Sequence, residues 1–137
     1  MLPFAFLLAV SCTTQNQVEK TVNKDNPTFT QVQTVLERNC VHCHGASRLT
    51  GMPPLTDSEA LANLIGSNNL IIPGKPEQSR FLTVVTLSDN QAGAMPPTGH
   101  AISESETSTL RKWIQAGAPL PTENVQLKSK GESPRSR

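Results

Sequence analysis

Residues 40–44 read Cys40-Val41-His42-Cys43-His44, and this stretch decides how the rest of the chain is read. Cysteines three residues apart on a helical turn share a face. The form C-x-x-C-H is that of a c-type haem attachment site. Both sulfurs then reach the two vinyl groups on one porphyrin edge and form thioethers. His44 follows at once, so a neutral imidazole nitrogen is carried beneath the macrocycle, where it can bind iron. The chain has only three Cys and three His in 137 residues. Random placement from that usage gives the pattern in about one such chain in a thousand.

Two other chemistries use these residue types. A thiol–disulfide C-x-x-C expects a thioredoxin-like βαβ context, and the sequence offers none. Structural zinc takes its ligands from two separated pairs, whereas Cys40, His42, Cys43 and His44 are nearly contiguous. The expected cofactor is therefore one covalent haem c.

Composition agrees with a housing for such a group. Hydrophobic residues make up 36% of the chain, with four Phe, one Trp and no Tyr. That is a thin apolar stock for a self-sufficient core, and a buried porphyrin would add a large apolar body. The net charge of +1 gives no basic field, so no nucleic-acid partner is expected. Between Thr28 and Leu120 there are six basic and seven acidic residues, too even a balance for strong electrostatic steering of a partner.

Residues 2–10 form a short apolar run ending at Ser11-Cys12. The run has the length of a signal-peptide core and is too short to span a bilayer. An apolar run, a small residue and then Cys resembles the lipobox of bacterial lipoproteins. Residues 1–12 are thus read as a signal peptide with Cys12 as the lipidation site and membrane anchor. No Lys or Arg precedes the run, a departure from the usual positive start; the alternative is an ordinary cleaved signal with an incidental Cys12. Either reading puts the protein outside the cytoplasm, in the periplasm or held on a membrane facing the periplasm or cell exterior. Residues 13–27 are polar and read as a flexible tether.

Four helices are expected in the remainder. A capping box from Thr28 to Gln31 opens the first, whose apolar face carries Phe29, Val32, Val35 and Leu36 and which runs into the Cys40 motif. A second box, Thr56 to Glu59, opens a short helix through Ala60, Leu61, Leu64 and Ile65, closed by Gly66. Pro76-Glu77 starts a third, with Phe81, Leu82, Val84 and Val85 buried. The β-branched run at 83–86 is assigned to that helix because no partner strand is evident. Ser103 to Glu106 starts the last, with Leu110, Trp113 and Ile114 on its apolar face and Gly117 and Pro119 ending it. An all-α domain over residues 28–120 follows. Residues 121–137, rich in polar residues, are expected to form a disordered tail.

Iron has a second axial side. Met95 stands in the loop Gly93-Ala94-Met95-Pro96-Pro97, far enough from His44 for the chain to wrap over the opposite haem face. A thioether with an imidazole raises the reduction potential and closes the iron to outside ligands. Met52 also precedes two prolines, but it lies eight residues beyond His44 and is placed on the proximal side as packing. His100 would give bis-histidine ligation instead, and is read as a loop histidine; His42 is read as solvated.

Taken in order, Cys40 to Gly45, the Pro-Gly-Lys-Pro-Glu-x-Ser of Pro73 to Ser79, the Met-Pro-Pro of Met95 to Pro97 and the Trp-Ile-x-x-Gly-Ala of Trp113 to Ala118 resemble a bacterial branch of the class I monohaem cytochromes c. The resemblance covers about Thr28 to Pro119. It implies an all-α fold of about four short helices around one covalent haem, with the first and last helices crossing near its edge and Phe29 and Trp113 at that contact. It also implies that His44 donates its other ring nitrogen to a carbonyl in the Gly51 to Leu55 loop, from Pro53 or Pro54, with Pro54 as the expected site residue. The implied role is that of an electron carrier between redox partner proteins and not an enzyme. Competing readings are a haem sensor or peroxidase-like haem enzyme with a displaceable sixth ligand, and a haem accessory subunit of a membrane redox complex.

Overall fold

The computed structural model describes residues 25–97 and 100–130. The expected signal peptide and Cys12, most of the expected tether and residues 131–137 of the expected tail lie outside them.

Five α-helices follow one another: α1 at Phe29–Asn39, α2 at Val41–His44, α3 at Ser58–Leu64, α4 at Arg80–Thr86 and α5 at Glu104–Gln115. A 3-10 turn at Pro76–Gln78 precedes α4. The described residues contain no strands, only isolated bridges between Asp57 and Gln126 and between Ile65 and Ile71. The all-α expectation therefore holds, with the attachment motif forming a one-turn helix of its own. No helix among the described residues is long and apolar enough to cross a membrane.

Local chemistry explains most of the boundaries. At the start of α1, Thr28 N donates to Gln31 Oε1 at 2.8 Å. At the start of α5, Ser103 N donates to Glu106 Oε2 (3.0 Å) and Ser103 Oγ accepts from Glu106 N (3.2 Å), a reciprocal cap. The expected box at Thr56 is displaced by one residue. Asp57 is the cap of α3, accepting from Ala60 N at 2.8 Å, and Glu59 N instead donates to Asn124 Oδ1 at 3.3 Å. The β-branched run is helical, as expected. Its hydroxyls turn back on the helix, Thr83 to Ser79 O and Thr86 to Leu82 O.

The packing centre is the α1–α5 contact, with α4 and the 3-10 turn also against α5. Val32, Leu36, Leu110, Trp113 and Ile114 are fully buried, and Phe29 packs against their cluster. Trp113 Nε1 donates to Pro119 O at 2.9 Å, so the indole's polar edge is satisfied where the chain leaves α5.

The expected disorder beyond 120 is corrected for residues 121–130, which return across the fold as a strap. Ser58 N donates to Val125 O and Leu127 N to Thr56 O, each at 2.9 Å, and Leu127 is buried. The strap ends on Glu37, a carboxylate 2% exposed. Glu37 Oε1 accepts from Gln33 Nε2 (2.9 Å) and Lys128 N (3.1 Å), and Lys130 Nζ lies 2.7 Å from Oε2. Two factors make the expectation fail. The segment has only two apolar side chains, Val125 and Leu127, and it is held mainly by backbone donors that hydrophobic periodicity cannot reveal.

Burial alone would raise the Glu37 pKa. The Lys130 ammonium and the Gln33 and Lys128 donors outweigh it and hold the carboxyl below its ordinary 4.5. A group whose pKa is depressed on folding stabilises the fold above its ordinary value and loses that stabilisation as pH falls through the folded value. Urea titrations between neutral pH and pH about 3 should therefore show stability falling below pH 4.5, more steeply in the parent than in Glu37→Gln. Identical slopes would remove Glu37 as the cause.

Candidate haem-attachment site

The chain breaks direction at Cys40. Cys40 N donates to Leu36 O at 2.8 Å as the last bond of α1, and Cys43 N (3.1 Å) and His44 N (2.9 Å) then bond to Cys40 O. One helical turn thus carries both thiols, with Cys40 half-buried and Cys43 exposed, and neither is in a disulfide. Burial, and then the nearby charges of Glu106 and Cys43, push the Cys40 thiol up to about 12. A thiol so protonated at neutral pH is a poor nucleophile, the reverse of what thiol–disulfide exchange needs.

Gly45 follows the histidine and, of the described glycines, has the least room for a side chain. A Cβ there would stand 2.5 Å from Val41 O and 3.3 Å from Val41 Cγ1. Its φ of −77° is open to any residue, so the close approach, and not the dihedral, requires glycine. Gly45→Ala should cost about 1–3 kcal/mol by forcing the α2 turn open. Urea melts together with haem content per polypeptide would register it, and a variant equal to the parent in both would disprove the clash.

His44 Nδ1 lies 3.0 Å from Pro53 O. A carbonyl only accepts, so Nδ1 is the donor, and in the neutral ring Nε2 is then the nitrogen that carries the lone pair. The ring is thereby set as a metal-ligating tautomer, with its second nitrogen oriented by a backbone acceptor. This corrects the assignment of Pro54, since Pro53 supplies the carbonyl. Leu55 N donates back to His44 O at 2.8 Å and closes the loop onto the motif.

Met95 is half-buried against the same core that Cys40 touches, and its N–H donates to Val84 O at 2.8 Å. The loop is thus pinned to α4 at the methionine itself. His100 is half-buried, Met52 is half-buried and His42 is exposed. Among the described residues, no group of three or more His, Cys, Asp or Glu side chains converges to hold a metal ion. A cleft of about 410 Å³ between the 3-10 turn and α5, lined in part by Lys75, Glu77 and Arg111, shares no residue with the motif or with Met95.

Glu106 ties the ends of α1 and α5 together beside the motif. Its Oε1 accepts from Asn39 Nδ2 (3.1 Å) and lies 3.3 Å from Arg38 Nη1. Burial would raise its pKa, but the Ser103 and Asn39 donors and the Arg38 charge leave it lowered. Sequence reading gave Glu106 only its capping role. It missed Glu37, whose only signal was a Gln33–Glu37 pair at helical spacing.

Two unpaired thiols on one turn, followed at once by an imidazole whose Nδ1 faces a backbone carbonyl, are the residue types that fit a covalently held c-type haem. An all-α domain carrying them is a cytochrome c-type arrangement. Residues 40–99 match the family model described as Planctomycete cytochrome C, which supports a cytochrome c-type family and implies covalently bound haem c. No curated protein and no solved structure matches the chain.

Proposed function

We propose that this protein is an exported monohaem c-type cytochrome that passes single electrons between redox partner proteins. The His44–Pro53 hydrogen bond beside two unpaired thiols in C-x-x-C-H carries the reading. When bound, the haem supplies a one-electron iron couple at a potential set by its ligands and surroundings. Cys40 and Cys43 hold it covalently, and His44 offers Nε2 to the iron. Met95 would offer its thioether sulfur as the second iron ligand and would so keep outside ligands away. Pro53 fixes the imidazole, and the α1–α5 packing keeps the motif rigid, so little need move when charge changes. The apolar start of the sequence and Cys12 support export and a lipid anchor that holds the domain at a membrane surface, facing the periplasm or cell exterior.

The test is a pyridine haemochrome spectrum of protein made in a host with haem-attachment machinery. A bis-thioether c-type spectrum at one haem per chain is expected. Colourless protein with both thiols open to alkylation would overturn the reading. Fatty-acid labelling that disappears in Cys12→Ser would separately support the anchor, and undiminished labelling would oppose it.

A further inference from the structure

The helix break that creates the attachment turn leaves α1 with carbonyls its own backbone cannot serve. Leu36 O is taken by Cys40 N, and the next one, Glu37 O, accepts from Lys130 N at 3.0 Å. The same strap residue neutralises the Glu37 carboxylate through Nζ. Five residues earlier, Val125 is joined to Ser58 twice. Its carbonyl accepts from Ser58 N, and its N–H donates to Ser58 Oγ, each at 2.9 Å. Leu127 N donates to Thr56 O, and its side chain is buried in the core cluster. One end of the strap therefore grips the helix that ends at Cys40. The other grips the segment just after Pro53, the residue whose carbonyl orients His44.

We propose that residues 121–130 act as a proximal clamp, with Glu37 and Lys130 as positioning residues that fix the distance between the thioether turn and the Pro53 carbonyl. The effect on iron runs through His44. A firm Nδ1–H···O bond makes the imidazole a stronger donor and favours the oxidised iron, so slackening it raises the reduction potential. This effect on potential rests on the haem reading above, whereas the mechanical clamp can be measured without it.

The experiment compares the parent, Glu37→Gln and Lys130→Ala by hydrogen–deuterium exchange, and by potentiometry on the haem-loaded chains. Lys130 is 66% exposed at its side chain, so Lys130→Ala should fold even if Glu37→Gln does not. In each folded variant, amides of residues 55–58 should exchange about tenfold faster while α4 is unchanged, and the potential should rise. Exchange that quickens only within 121–130, with the potential unmoved, would reduce the strap to a surface cover and overturn the proposal. Faster exchange at 55–58 in chains that carry no haem would uphold the clamp while refuting the cytochrome reading, which keeps the two failures distinct.

Discussion

Trp113→Ala is expected to remove about 3–5 kcal/mol of stability. A domain of this size commonly has only about 5–15 kcal/mol in total, so the variant should be largely unfolded at moderate urea. The indole is fully buried at the α1–α5 contact. Its loss leaves a cavity that neighbouring helices cannot fill without tilting, and it strands the Pro119 carbonyl that Nε1 had satisfied. Trp113 O also accepts from Ala118 N at 2.9 Å, so the turn leading into the strap would loosen with the helix end. Far-ultraviolet circular dichroism during urea titration measures the loss. Lys75→Ala, at an exposed loop position, serves as the control and should stay within about 0.5 kcal/mol. A Trp113→Ala midpoint close to that control would mean the α1–α5 contact does not organise the core.

Met95→Ala should change the iron chemistry while leaving the haem attached. The loop around it keeps its anchor, because Met95 bonds to Val84 O through its backbone N–H, which alanine retains. What disappears is the thioether. The expected outcome is loss of the near-infrared methionine-to-iron band, stoichiometric carbon monoxide binding to the reduced protein where the parent binds none, and a lower potential. His100→Ala should leave all three observations as in the parent. If the behaviour follows His100 instead, the axial pair is bis-histidine. If the parent itself binds carbon monoxide freely, a sensor or haem enzyme gains over the carrier.

Where the sequence was legible, a local chemical pattern and a packing pattern agreed. Ser103 and Glu106 announce the start of α5, and the spacing of Leu110, Trp113 and Ile114 announces its buried face; all appear as expected. The attachment turn is legible because C-x-x-C-H compresses its chemistry into five residues. Pro53 against Pro54 was illegible for a physical reason. An irregular proline loop has no period, so one-residue register within it depends on tertiary contacts. The α3 cap moved from Thr56 to Asp57 for a similar reason, since Asn124 from the distant strap takes the Glu59 amide. Ser79 lies between these cases. It stands out within the motif starting at Pro73, yet only the fold shows why. Its buried hydroxyl accepts from Ile72 N and donates to Lys75 O, each at 2.9 Å, and closes the turn ahead of α4.

The lone tryptophan has one further use. With no tyrosine anywhere in the chain, ultraviolet emission from this protein arises from essentially one fluorophore, seated in the cluster against which Cys40 packs. A porphyrin joined at that cysteine would accept its excitation by resonance transfer. Brightness at the indole wavelength would then report haem capture in real time, and its recovery on denaturation would report how far the ring and the dye have separated.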